Sequence, residues 1–321
     1  MNLLIYVFKR ILQTIPLIII VSFLSFFIIR LSPVDPLAEL KMNPAISQET
    51  LDAEIQRLGL DKPVIVQYFK WGKSFLKGDL GVSVTGEKVA DRLMERIPNT
   101  LLLTGFVILL TWLVGIPLGI FAALNWKKPA DRILTVLSSI GMAIPSFFFA
   151  LLLLIFAVKT GWFPTGGLTS FNFSSLTPLG KITDVLWHLV LPVTVLFTLS
   201  LSGLQRQMRG NLLDVLESDY VKFARAKGLS ETKVVYKHAL RNAINPMITL
   251  LGFEFSSLLS GAALTEFVFQ YPGLGRLVLE AVLKSDINLV MASLMIGIIM
   301  LILGNLIADI LLKIVDPRVR V

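Results

Sequence analysis

The chain has 321 residues, 55% of them apolar and only 16% charged, against about 45–50% apolar in soluble domains. It has no cysteine, which excludes disulfides, zinc–cysteine sites and iron–sulfur clusters. The net charge of +8 raises nucleic acid as a partner, but the excess lies in short loops beside long apolar runs and so points to a membrane.

Lys9 and Arg10 precede the first apolar run, residues 11–29, which holds 19 residues and no charge. About 20 such residues cross roughly 30 Å of hydrocarbon. No small-x-small cleavage site follows this run, so it is expected to remain as an uncleaved first span. Residues 31–98 carry nine basic and ten acidic side chains and read as a folded extracytoplasmic insert. Ser47 can start a short amphipathic helix that Gly59 stops, and Tyr68, Phe69, Trp71, Phe75 and Leu76 supply the apolar side of a second. Gly78 to Ser83 is a turn region. Five further runs follow, at 100–124, 133–158, 185–204, 247–269 and 287–312. The chain is therefore expected to be an all-α integral membrane protein with six transmembrane helices. Most prolines and glycines inside these runs serve packing. Pro145, within Gly141-Met-Ala-Ile-Pro-Ser146, is the best placed for a functional kink.

Lysines and arginines separate the two sides. Lys127, Lys128 and Arg132 lie between runs two and three, and eight more, from Arg206 to Arg241, between runs four and five. Lys313, Arg318 and Arg320 follow run six, whereas the alternate loops hold only Lys159, Lys181, Arg276 and Lys284. Both termini are expected in the cytoplasm. The expected organisation is a first helix plus insert over 1–98, a core of five membrane helices over 99–313 with a cytoplasmic loop at 205–245, and a tail over 314–321.

That loop is too polar for a bilayer. Ser218 or Asp219 can open a helix through 220–227 that Gly228 ends, and Ser230 can open a second over 231–242. With Lys and Arg on one side and Leu229, Val234 and Val235 on another, the pair suits a groove in a soluble partner. The bland alternative is a basic loop lying on anionic lipid. The acidic residues Asp214, Glu217, Asp219 and Glu231, together with the Gly228 turn, favour a shaped protein contact.

Catalytic signals fail on inspection. Leu201-Ser-Gly-Leu-Gln205 is a damaged ATPase signature at the end of a span. Gly180-Lys181 lacks the leading Gly and the Ser or Thr of a phosphate loop. The only histidines, His188 and His238, lie on different segments. Neither a metal site nor a nucleophile–base pair has raw material, and the chain is not expected to be an enzyme.

Ala224-Arg-Ala-Lys-Gly-Leu-Ser230, followed by His238-Ala-Leu-Arg-Asn-Ala243, resembles the coupling loop of ABC importer permeases of the dipeptide/oligopeptide/nickel branch. Arg30-Leu-Ser-Pro-Val-Asp-Pro36, Ile144-Pro-Ser-Phe147, Glu266 with Tyr271-Pro-Gly-Leu-Gly275, and Asp316-Pro-Arg318 resemble further segments of that family, in order along nearly the whole chain. Of the broader importer loop pattern, Ala224, Gly228 and Leu240 fit, while Lys222, Phe223, His238 and Arg241 depart. The resemblance implies a type I permease fold in a bacterial-type inner or plasma membrane, with Tyr220, Ala224, Arg225, Ala226, Lys227, Gly228, Leu229, Ser230, His238, Leu240 and Arg241 forming the loop that meets the ATPase. It implies a second homologous permease, two ATP-binding subunits that hold ATP and Mg, and an extracytoplasmic solute-binding protein. No cofactor or metal in this chain and no nucleic acid are implied. Di- or oligopeptides are the implied cargo, with nickel or metal chelates and oligosaccharides as alternatives. An ion-gradient-driven secondary transporter is the rival of another class, disfavoured by the basic loop and the lack of internal repeats.

Ionisable groups inside spans are expensive and draw functional attention. Glu254 is expected either to meet a positively charged substrate terminus or to pair with the second permease. Glu266 reads as part of an outer gate, and Asp309 as a partner for a cytoplasmic-side cation.

Overall fold

Inside a bilayer the backbone can bond only to itself, so the apolar runs fold as helices. The structure, a computed structural model, describes residues 3–31, 37, 41 and 46–315. Its helices are α1 (Leu3–Leu31), α2 (Gln48–Leu58), α3 (Val64–Leu76), α4 (Val89–Leu124), α5 (Pro129–Ala143), α6 (Ser146–Thr160), α7 (Pro178–Leu216) and α8 (Asp219–Ala226). Next comes α9, a continuous stretch of Glu231–Lys233, a π-helical Val234–Ala239 and Leu240–Ala243. The chain continues with α10 (Asn245–Val268), α11 (Leu274–Leu283) and α12 (Ile287–Val315). Among the described residues the only strand-like pairing is an isolated bridge between Val82 and Lys88.

Among the described residues four helices are long and apolar enough to cross a membrane: Leu12–Leu31 of α1, α4, α7 and Ile287–Ile307 of α12. The third expected run is not one straight helix. It is the pair α5 and α6, bent by 93°, and counted together they give a fifth crossing. The bend follows from Pro145, which disfavours helical backbone at the residue before it; Ile144 is extended at φ −82°, ψ 120°. The run 247–269 falls on α10, where side chains 252–253 and 255–261 lie outside the described residues. So do the side chain of Asp309 and the segments 32–36 and 316–318.

Two helices outrun their apolar cores. α4 starts at Val89, well before residue 100, and α7 runs on to Leu216, so residues 205–216, expected as loop, are helix. At 1.5 Å per residue, α7 is roughly 58 Å long, about twice the hydrocarbon thickness. Charge ends a membrane span without ending a helix. In this extension Met208 and Leu212 stay fully buried, keeping an apolar stripe.

The chain divides into two compact units, Met1–Pro98 with Leu277–Ile299, and Asn99–Arg276 with Met300–Val321. In the first, the insert packs on α1 through aromatic rings. Tyr68 of α3 meets Phe23 and Phe26 at 5.3 and 5.7 Å between ring centres, and its hydroxyl lies 2.9 Å from that of Ser22. The turn after α3 is tied to the start of α12. The Asp286 carboxylate accepts from the Ser83 hydroxyl and from the Val84 N–H at 3.0 Å, while Asn288 donates to the Val82 carbonyl at 2.9 Å. Ser47 caps α2 by accepting from the Thr50 N–H, and Gly59 ends it at φ 68°, as expected.

In the second unit α7 is the central helix, packed by α5, α6, α9 and α10. Its core falls into apolar clusters. One gathers Leu103 and Val107 of α4 with Leu189, Val193 and Leu196 of α7, Ala262 of α10 and Tyr271.

Candidate functional site

The segment between α7 and α10 is a helical hairpin. Gly228 makes the turn at φ 79°, a left-handed conformation that costs a residue without Cβ little. Ser218 and Ser230 occupy the helix-start positions with extended backbone, but neither hydroxyl caps its helix; that of Ser218 donates back to the Val215 carbonyl at 2.6 Å.

The apolar side of the hairpin faces the protein and not a partner, which reverses the sequence-based expectation for Leu229, Val234 and Val235. Val221 and Ala224 of α8 and Val234, Ala239 and Ala243 of α9 pack with Ile120 and Ala123 of α4, Leu204, Met208 and Leu212 of α7 and Met247 of α10. Leu229 and Leu240 pack at the edge of that cluster, and Val235 is also buried. α4, α7 and α10 present apolar side chains here, and the hairpin packs onto them.

Polar contacts bridge the two short helices. Arg225 is bidentate to Glu231 at 2.7 and 3.3 Å and donates to the Leu216 carbonyl at 3.4 Å. The Asn242 amide donates to the Tyr220 hydroxyl at 2.7 Å. Arg225 is therefore committed within the hairpin. What faces outward is an aromatic and basic surface. Tyr220, Phe223 and Tyr236 are 44%, 61% and 56% exposed, and the Lys227 ammonium lies over the Phe223 ring at 4.6 Å. Ala226, Gly228, Ser230 and Arg241 are exposed, and His238 is half-buried. Tyr236 escaped the sequence reading and Phe223 entered it only as a departure from the importer pattern, although exposed rings in so polar a loop were a usable signal.

Behind the hairpin, α7 is bolted to the first turn of α5. Arg209 holds the buried Asp131 with two hydrogen bonds of 2.6 and 2.9 Å, and the Lys127 N–H donates to the same carboxylate at 3.0 Å. Further along the same two helices, Ser138 donates to Gln205 at 2.5 Å. A cavity of about 340 Å³ opens there, lined by Ser138, Gly141, Ile144, Ser146, Ser202 and Gln205. Pro145 itself opens α6, accepting from the Phe149 N–H at 3.0 Å.

The two span carboxylates have different surroundings. Glu254 on α10 is half-buried and accepts from the indole N–H of Trp112 on α4 at 2.9 Å. Glu266 is fully buried. It accepts from the Thr100 hydroxyl at 2.8 Å and from the Arg276 N–H at 2.9 Å, and Thr100 in turn accepts from the Leu274 N–H at 2.7 Å. A Cβ at Gly273 would collide with that carboxylate, so a side chain there would displace it. The Tyr271 phenol donates to the Asn99 carbonyl at 2.7 Å. Burial first, then the Glu266 charge, pushes the phenol well above its usual range, which keeps it a donor. The cavity of about 340 Å³ beside Pro145 is lined by neither Glu254 nor Glu266. His188 is a buried packing residue whose Nδ1 meets the Asp184 carbonyl at 2.8 Å. Among the described residues no His, Asp and Glu cluster is placed to hold a metal.

Residues 115–321 match the family described as binding-protein-dependent transport system inner membrane component, and residues 3–104 match its N-terminal membrane component. The chain belongs to this family. Relatives of nearly equal length span it almost end to end. The oligopeptide transport system permease protein AppB of Bacillus subtilis (strain 168) is 41% identical over 98% of this chain and 99% of its own. The glutathione transport system permease protein GsiC of Escherichia coli O6:H1 is 36% identical over 98% of each. A putative peptide transport system permease protein of Brucella abortus (strain 2308) is 36% identical over the same shares. This permease is thus a multi-pass membrane protein, the membrane component of a binding-protein-dependent ABC transport system.

Proposed function

We propose that this permease is one of two non-identical membrane subunits of an ATP-driven importer of short peptides, forming half of the translocation path. The observation that carries the reading is the hairpin. Its inner face is embedded in the apolar core with α4, α7 and α10, while its outer face presents Tyr220, Phe223 and Tyr236 among basic residues. Close-packed interiors transmit displacement with little compression. A subunit that grips the outer face and moves on binding ATP and Mg would therefore carry α7 and α10 with it. Two such ATP-binding subunits, a second permease and an external solute-binding protein complete the machine.

The peptide class is supported by relatives named for oligopeptides, peptides and glutathione. Glu254, fixed by Trp112, offers a carboxylate suited to a peptide ammonium, and Pro145 and Glu266 are assigned to the path and its gate. Uptake by the assembled complex in proteoliposomes tests the reading. Labelled di- to hexapeptides should enter with ATP inside and solute-binding protein outside, and a protonophore should leave the rate unchanged. Selective entry of a nickel chelate or an oligosaccharide would replace the substrate class. Uptake driven by an ion gradient without ATP would remove the ABC reading.

A further inference from the structure

A cavity of about 300 Å³ lies within the first unit, walled by Phe26 and Arg30 of α1, Gln67, Lys70, Trp71 and Ser74 of α3, and the turn from Asp79 to Val84. Two polar groups in its lining are left without partners among the described residues. Gln67 is only 8% exposed. Its amide nitrogen donates to the Lys62 carbonyl at 2.7 Å, while its Oε1 accepts from nothing. Arg30 Nε is buried and donates to nothing, although the guanidinium lies over the Phe26 ring at 5.7 Å. Buried polar groups are almost always satisfied, and each exception calls for an explanation.

The ligand that answers both groups must carry an acceptor, preferably anionic, for Arg30 and a donor for Gln67 Oε1. Lys70 adds a second cation. Two carboxylates also line the cavity; that of Asp286 is engaged by Ser83, Val84 and Leu289 and that of Asp79 by the Gly81 N–H, so each opposes an anion less than a free carboxylate would. The position in the chain narrows the source. Arg30 is the first charge after the uncharged run 11–29, which places it at the hydrocarbon boundary. Just before it, Leu24, Phe27 and Ile28 leave an exposed apolar stripe on α1, along which an acyl chain can lie.

We propose that this cavity is a phospholipid headgroup site. Arg30, with Lys70, takes the phosphate, and Gln67 Oε1 accepts a hydrogen bond from the headgroup's ammonium. Basic pockets beside membrane helices are a recurrent way to hold headgroups. The site requires a headgroup that can donate, so phosphatidylethanolamine fits. Phosphatidylcholine has the same charges and no N–H, and leaves Gln67 unsatisfied. Losing one such buried hydrogen bond corresponds to about tenfold in affinity.

The test is native mass spectrometry of the full chain in its complex, extracted from nanodiscs of equal parts phosphatidylethanolamine and phosphatidylcholine. The wild type should retain phosphatidylethanolamine about tenfold over phosphatidylcholine. Gln67→Leu should erase that preference. Arg30→Gln should lower retention of both lipids, while Lys159→Gln, in the other unit, should change neither. Circular dichroism confirms that each variant is folded. Equal retention of the two lipids by the wild type overturns the proposal, as does a preference that survives Gln67→Leu. Displacement of the lipid by soluble phosphoethanolamine at matched concentration would make it a site for the free anion, and displacement by a dipeptide would make it a peptide pocket; either overturns the assignment to lipid. None of these outcomes depends on what the importer carries.

Discussion

The hairpin between α7 and α10 and the corner between α10 and α11 are both short connections on the same unit, yet they are held by opposite means. The hairpin is fixed by small and branched apolar side chains, Val221, Ala224, Val234, Ala239 and Ala243, with its charges outside. The corner is fixed by a buried charge, Glu266, whose oxygens are bonded to Thr100 and to the Arg276 N–H. Apolar packing is non-directional and degrades gradually. A buried carboxylate is directional, and its donors are stranded if it leaves. The hairpin's outer surface should therefore be open to change without loss of fold, whereas the corner should tolerate almost none.

The corner offers the sharpest break. Glu266→Ala strands the Thr100 hydroxyl and the Arg276 N–H and should cost about 3 kcal/mol, seen as lost protein in membranes and early thermal unfolding in detergent. Gly273→Ala should act the same way by pushing the carboxylate out of place. A wild-type melting temperature in both variants would mean that the corner is not held by charge. Next comes the brace behind the hairpin. Asp131→Ala should cost roughly 2–3 kcal/mol because Arg209 loses a nearly buried partner, and adding Arg209→Met should recover part of it. A double variant as unstable as the sum of the two singles would deny the coupling.

Phe223→Ser and Tyr236→Ser should shift stability by no more than about 0.5 kcal/mol yet abolish peptide-stimulated ATP hydrolysis and uptake by the assembled complex. Full activity in both would show that the outward rings are not the gripping surface. Glu254→Gln should leave assembly intact, since the amide can still accept from Trp112, while impairing uptake; unchanged uptake at limiting and saturating peptide would end its assignment to the path. The smallest effect belongs to Arg225→Gln, because an exposed pair such as Arg225 and Glu231 is worth at most about 1 kcal/mol. A larger loss would mean that the hairpin angle depends on it.

Much of this was legible in order along the chain. Uncharged runs announced membrane helices because hydrocarbon leaves the backbone no other partner. Gly59 and Gly228 announced helix ends because both adopt the left-handed conformation that ends a helix. Pro145 announced a break, though not its 93° size. Pairings over long separations were not legible. Asp131 with Arg209, Trp112 with Glu254 and Thr100 with Glu266 join residues 78 to 166 positions apart, and no local pattern records which distant helix will lie alongside.

The sequence by itself determined that this is a helical membrane protein with a basic two-helix connection turning at Gly228, because hydropathy, charge placement and turn chemistry act over a few residues. Only the tertiary structure decided which side of that connection faces out. The apolar side could have met a partner or the chain's own helices, and the choice went to α4, α7 and α10 because Ile120, Leu204, Met208 and Met247 offer Val234 and Ala239 an apolar surface, leaving Phe223 and Tyr236 to face outward.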